Sequence, residues 1–111
     1  NMANAFERKL SRDIGTSLTA VGSYTVPAAT QTTVIGLTVA NTTGATVNID
    51  VTLNDGANDT YIVKSAPVPT GGAIVPIGGN QKIVMEPNDS IKVKSDTATS
   101  IDAVLSILEI T

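Results

Sequence analysis

Thr46-Val-Asn-Ile-Asp-Val-Thr-Leu-Asn54 is the stretch that decides the fold class. Val47, Ile49, Val51 and Leu53 alternate with Asn48, Asp50 and Thr52, a period of two that sets one apolar face against one wet face and predicts a half-buried β-strand. Upstream, Ile35, Leu37 and Val39 repeat the pattern, with Val34, Gly36 and Thr38 on the other face. Asn41-Thr-Thr-Gly44 is expected to join the two strands as a hairpin, since Gly44 is free to take a positive φ.

Downstream, clusters of turn-forming residues recur at short intervals: Asn54-Asp-Gly-Ala-Asn58, Pro69-Thr-Gly-Gly72, Gly78-Gly-Asn80, Glu86-Pro-Asn-Asp89 and Ser95-Asp-Thr97. Between them lie predicted strands at Thr60–Lys64, Ala73–Ile77, Lys82–Met85, Ser90–Lys94 and Ile101–Ile110, where β-branched side chains suit a pleated surface. The result is an all-β domain, an Ig-like or jelly-roll-like sandwich of roughly eight antiparallel strands. The last strand differs from the rest. Ile101, Ala103, Leu105 and Ile107 occupy one face while Val104, Leu108 and Ile110 occupy the other, so both faces need cover.

Before Gly15 the pattern changes. Asn4-Ala-Phe-Glu-Arg-Lys-Leu-Ser-Arg-Asp-Ile14 carries the densest charge in the chain and places Phe6, Leu10 and Ile14 four apart, the spacing of one helix face. The expected organisation is an N-terminal helical arm over residues 2–14 and a sandwich over 15–111. So short a helix is marginal in water. Its apolar stripe is expected to dock on the final strand or on a neighbouring subunit. Phe6, Leu10, Ile14, Val104, Leu108 and Ile110 are therefore the candidate interface residues. Asn1 ahead of Met2 reads as an addition preceding the natural start.

The 111 residues suffice for one hydrophobic core. With 41% apolar and 15% charged residues and a mean hydropathy of +0.19, the chain falls outside the disordered class. Phe6, Tyr24 and Tyr61 are its aromatics, so the core is aliphatic and expected to be thin. A net charge of −3 and a pI near 4.6 argue against sequence-independent binding of nucleic acid or of anionic membrane, and the basic cluster Arg8, Lys9, Arg12 is offset by Glu7 and Asp13. Residues Ala3–Ile14 hold too many charges for a signal peptide, and no stretch approaches the roughly 20 apolar residues of a membrane span, so a cytoplasmic site of synthesis is expected.

Catalysis has little to work with. The chain contains no His and no Cys, which removes the commonest general base, the usual zinc ligands, the thiolate nucleophile and any disulfide framework. Asp50, Asp55, Asp59, Glu86, Asp89, Asp96 and Asp102 fall mostly in turn-forming clusters, where Asp serves backbone geometry. No enzyme activity, cofactor or metal is expected. Asn54-Asp-Gly-Ala-Asn-Asp59 gathers oxygen atoms but lacks the ligand spacing and bidentate Glu of a calcium loop, and is read as a hairpin connection. Gly71-Gly72 and Gly78-Gly79 lack the following Lys-Ser/Thr of a phosphate cradle. Asn41-Thr-Thr, Asn58-Asp-Thr and Asn88-Asp-Ser match a glycosylation acceptor pattern that carries no meaning without a signal peptide. Tyr24 and Tyr61 are a poor platform for stacking a sugar ring, and Tyr61, which shares a strand face with Val63, is expected in the core.

Tyr24-Thr-Val-Pro-Ala-Ala-Thr-Gln-Thr-Thr-Val-Ile-Gly-Leu-Thr-Val-Ala-Asn41, Ala66-Pro-Val-Pro-Thr-Gly-Gly72, Glu86-Pro-Asn-Asp-Ser-Ile-Lys-Val-Lys94 and Val104-Leu-Ser-Ile-Leu-Glu-Ile110 resemble small virion structural proteins of tailed phages, those of cyanobacteria and other aquatic bacteria above all. The resemblance spans nearly the whole chain after Gly15 and rests on strand and turn pattern. It implies a β-sandwich mounted in repeated copies on a virion, as a capsid decoration (cement) protein, with a neck, tail or fibre component or a receptor- or glycan-binding adhesion module as alternatives. The partners it implies are further copies of the chain, a trimer suiting a local three-fold axis, and virion proteins such as the major capsid protein.

Overall fold

A computed structural model describes residues 3–111; the reading of Asn1 and Met2 lies outside the described residues. The strands in chain order are β1 (Asn4–Ile14), β2 (Thr19–Ala20), β3 (Gln31–Asn41), β4 (Val47–Asn54), β5 (Asp59–Val68), β6 (Ala73–Ile77), β7 (Ile83–Met85), β8 (Ser90–Ser95) and β9 (Ile101–Ile110). One 3₁₀ turn, Val21–Ser23, interrupts them.

The strands form two antiparallel sheets. One runs β1-β9-β3-β6, with β7 also on β3; the other runs β2-β8-β4-β5. Apart from the β4-β5 hairpin and the β6-β7 succession, each step along the chain crosses from one sheet to the other. That alternation is the paired Greek key of a jelly roll, with one strand split into β6 and β7. Of the two sandwich types expected, the jelly roll is the one found. The link from Asn41 to Gly44 is accordingly a crossing between sheets and not a hairpin: β3 pairs with β9, β6 and β7, whereas β4 pairs with β5 and β8.

The core lies between the sheets and is almost wholly aliphatic. Leu37, Leu105 and Ile107 from the five-stranded sheet meet Ile49, Val51 and Ile91 from the other, all 0–1% exposed. Burying each such side chain stabilises the fold by about 1.5–3 kcal/mol.

β-Bulges decide which side chains reach this core, because one extra residue reverses the alternation beyond it. In β3, Val34 pairs with Ile107 and Gly36 with Ser106, leaving Ile35 as the extra residue. Val34 is therefore fully buried and Ile35 only half-buried, reversing the expected assignment for both. In β5, Val63 pairs with Val51 but Tyr61 with Thr52. The extra Ile62 sends Tyr61 outward, where it is 48% exposed with the Lys64 ammonium 4.7 Å from its ring centroid, and not into the core as expected.

The largest departure from expectation is at the N-terminus. Residues Asn4–Ile14 form a strand, not a helix, paired along its length with β9 from Asn4↔Ile110 to Ser11↔Ala103. A spacing of four places residues on one side of a strand as well as on one side of a helix. The cross-strand ladder offered by β9 then outweighs a helix too short to be stable alone. A further bulge lies here, where Arg12 and Asp13 oppose one residue of β9 and Asp13 takes φ 57. The Asp13 N–H donates to Oδ1 of Asp102 across the bulge at 3.0 Å.

Candidate assembly surface

The side chains of β9 divide as the sequence implies. Ile101, Ala103, Leu105 and Ile107 are buried, while Val104, Leu108 and Ile110 point out of the sandwich. The N-terminal segment does not cover that outer side. It lies beside β9 in the plane of the sheet, with Phe6 opposite Leu108 and Leu10 opposite Val104. Side chains of directly opposed residues project to the same side, so β1 enlarges the apolar face and leaves it open.

The register extends the face across the sheet. Leu108 also opposes Thr33, which opposes Val84, so Phe6, Leu108, Thr33 and Val84 form one row over four strands. A second row runs through Leu10, Val104 and Thr38, with Val75 on the same side of β6. Phe6 is 78% exposed, and Leu10, Val75, Val84 and Val104 stand between 45% and 62%. Arg8 and Ser106 lie between the two rows on the same side; apolar rows gathered on one face in this way mark a binding surface more often than scattered apolar residues do.

Of the six residues expected at an interface, Phe6, Leu10, Val104, Leu108 and Ile110 share this face. Ile14 does not: the Asp13 bulge turns it inward, where it is 3% exposed opposite Ile101. Val75 and Val84 were not expected. Their strands are legible, but their facing depends on pairing with β3, which alternation within Ala73–Ile77 and Ile83–Met85 leaves undetermined.

The other side of β1 is fixed by a polar cluster. Tyr24 Oη donates to Oε2 of Glu109 at 2.6 Å and shares a 2.7 Å hydrogen bond with Oγ1 of Thr32. Burial, and then the Glu109 carboxylate beside it, push the Tyr24 hydroxyl up to about 12. Lys9 Nζ lies 5.0 Å from the Tyr24 ring centroid and 3.1 Å from Oε1 of Glu7. Its hydrogen bond holds the Glu7 carboxyl below the usual range. The Gly22 N–H donates to Oγ of Ser11 at 2.8 Å. Gly22 has φ 63, and a Cβ there would stand 2.7 Å from that of Lys9, so the 3₁₀ turn seats against β1 only with glycine.

The outer face of the four-stranded sheet is polar and internally paired. Asp50 accepts the Ser65 N–H at 2.8 Å and lies 3.7 Å from Lys94 Nζ, while Asn48 donates to both carboxylate oxygens of Asp96. In the β4-β5 loop, Oδ1 of Asp55 accepts the N–H groups of Ala57 and Asn58, and Oδ1 of Asn54 accepts that of Gly56. These oxygens hold their own turn. Among the described residues no cluster of three metal-ligating side chains occurs, and no helix is long and apolar enough to cross a membrane.

No protein-family model and no curated protein matches the chain. Among solved structures it is similar to a protein of Bacillus endospore appendages, described as a novel family of disulfide-linked pili, at a TM-score of 0.56 with 13% identity over 99% of this chain and 88% of that one. A pentameric capsid protein isolated from metagenomic phage sequences overlaps at a TM-score of 0.35 with 15% identity, over 97% of this chain and 59% of that one, too loosely to define a common fold. The chain is thus a small β-sandwich protein whose fold is shared with the appendage protein.

Proposed function

We propose that the chain is a structural subunit of a repeating particle, a phage virion protein of the capsid-decoration class, and that it has no catalytic role. The observation that carries this reading is the open apolar face of the five-stranded sheet, with Phe6 78% exposed at its rim. A face of this breadth loses its contact with water when it docks on protein, and the gain grows with the apolar area covered. The sequence resemblance to tailed-phage virion proteins supports the same reading. So does the use of jelly rolls in capsid subunits, which is an analogy at the level of fold. The partners on this reading are other copies of the chain and the capsid shell.

A second reading, a subunit of an extracellular appendage, is favoured by the overlap with the endospore appendage protein along 99% of the chain. With no cysteine in the sequence, such a subunit would be held without disulfides of its own.

Immunogold electron microscopy with an antibody to this chain separates the readings. Gold on phage heads is the expected result, and gold on filaments selects the appendage. Signal confined to dispersed protein, with neither particle nor filament decorated, overturns both.

A further inference from the structure

Each sheet of an open sandwich ends in strands whose outer backbone groups lack a partner, and proteins blunt such edges with short strands, charged side chains, proline and bulges. In this chain most edges are treated that way. β2 has two residues, β5 is broken by two bulges and carries Pro67, and the far side of β3 is occupied by the short β6, with Pro76, and the three-residue β7. β1 is the exception in its backbone, and its charged residues Glu7, Arg8 and Lys9 are of both signs, able to pair across the edge as well as to repel. It spans eleven residues, contains no proline, and keeps its bulge at its C-terminal end.

The register shows which groups the edge presents. Ala3 and Thr111 exchange both of their backbone hydrogen bonds. In an antiparallel pair such exchange alternates, so Ala5, Glu7, Lys9 and Ser11 bond to β9, and the N–H and C=O groups of Asn4, Phe6, Arg8 and Leu10 point away from it. Among the described residues no strand pairs with that side, and the 3₁₀ turn comes close to it only at Leu10, where a Cβ on Gly22 would stand 3.2 Å from the backbone nitrogen.

We infer that this edge pairs with the β1 edge of a second copy of the chain, antiparallel about a two-fold axis at Arg8. With one open edge per copy, two copies satisfy each other and the pairing closes, whereas a filament would need a second open edge. Charge selects the register. Centred on Arg8, the pairing sets Glu7 of each copy opposite Lys9 of the other and Phe6 opposite Leu10, with about six backbone hydrogen bonds from the Phe6, Arg8 and Leu10 positions. Shifting the centre by one residue puts Glu7 opposite Glu7 or Lys9 opposite Lys9. The one like-charge contact that remains, between the two Arg8 side chains, lies on the exposed outer side. The two outer faces then adjoin, with the two Arg8 side chains at the axis flanked by Phe6 and Leu10 of both copies. This inference rests on the structural-subunit reading for its purpose only, and antibody labelling judges that reading separately.

The absence of cysteine makes a cross-linking test direct. Arg8→Cys is expected to form a disulfide-linked dimer under mild oxidation, because directly opposed residues lie within disulfide reach. Phe6→Cys and Leu10→Cys are each expected to form no disulfide-linked dimer alone and to cross-link when mixed, since four residues along a strand separate like positions by about 13 Å. Hydrogen exchange on the unmodified chain gives an independent reading. The Phe6 and Arg8 amides are expected to slow by about tenfold or more on concentration, while those of Glu7 and Lys9, bonded to β9 throughout, stay constant. If Arg8→Cys fails to cross-link and the Phe6 and Arg8 amides exchange at concentration-independent rates, the edge pairing is wrong, even where the chain associates through its apolar face. Self-cross-linking of Phe6→Cys or Leu10→Cys overturns the register.

Discussion

On the four-stranded sheet the side chains facing away from the core include Asn48, Asp50, Thr52, Lys92 and Lys94, with Tyr61 as the large apolar exception; on the five-stranded sheet they include Phe6, Leu10, Val75, Val84 and Val104. Both faces have the same backbone architecture and the same right to meet water. The first is closed upon itself, since Asp50, Asn48, Asp96 and Thr52 all find hydrogen-bond partners within the sheet and its turns. The second mixes its apolar rows with only a few polar side chains, Arg8, Thr33, Thr38 and Ser106. A face that satisfies its own hydrogen bonds gains little from a partner, whereas an apolar one gains in proportion to the area covered. The difference points to one side of the sandwich as the docking side.

The sharpest way to test that division is within a single strand. Leu105→Ala, on the inner side of β9, is expected to cost about 2–5 kcal/mol in denaturant unfolding, because a fully buried side chain leaves a cavity. Val104→Ala, one residue away on the outer side, is expected to change stability by less than about 0.5 kcal/mol. Equal costs would mean that the outer face is packed in the isolated chain.

Association should separate the two faces next. Val84→Asp is expected to weaken self-association or particle binding by about tenfold or more, roughly 1.4 kcal/mol, in light scattering across dilution. Unfolding of the monomer should scarcely change, as the side chain is 57% exposed. Lys92→Ala, on the polar sheet, is expected to leave association unchanged. The reverse outcome would move the docking side to the other sheet.

Tyr24 ties β3 to β9 on the inner side of the five-stranded sheet, and Lys9 of β1 rests against its ring. Tyr24→Phe removes hydrogen bonds to Thr32 and Glu109 and is expected to cost about 1–1.5 kcal/mol. The hydroxyl has a folded-state pKa of about 12 against an ordinary value of 10.0. A raised pKa favours the protonated, folded form below pH 10, and that contribution is lost as pH rises from 10 to about 12. Alkaline unfolding followed by circular dichroism should therefore lose part of its slope in Tyr24→Phe.

The smallest effect belongs to the polar sheet. Asp59 accepts hydrogen bonds from Asn54 and Thr52, Asn54 contributing most to lowering its carboxyl. Its contribution is present above the ordinary carboxylate range and is lost as pH falls through the lowered value. Asp59→Asn is expected to remove that acid dependence at a cost of a few tenths of a kcal/mol, given the exposure of the site.

Several features were legible in the residues themselves. Period-two alternation marks β4 and both faces of β9, and turn residues bracket β6 and β9 at their observed limits. These signals are local, since alternation within a strand and the backbone tolerance of Gly, Asn and Asp need no knowledge of neighbours. The apolar character of Val104, Leu108 and Ile110 on the second face of β9 belongs with them.

What the sequence by itself determined is therefore an aliphatic sandwich with a two-faced final strand and no groups for acid–base or thiol chemistry beyond carboxylates, lysines and tyrosines. Tertiary structure alone decided where the ambiguous residues point. Phe6, Leu10 and Ile14 fit a helix face and a strand face equally by spacing, and only the ladder with β9 selects the strand. The bulges at Asp13, Ile35 and Ile62 then send Ile14 and Val34 inward and Tyr61 outward. A bulge is a mismatch in count between two strands far apart in the chain, so it leaves no mark on the periodicity of either strand alone.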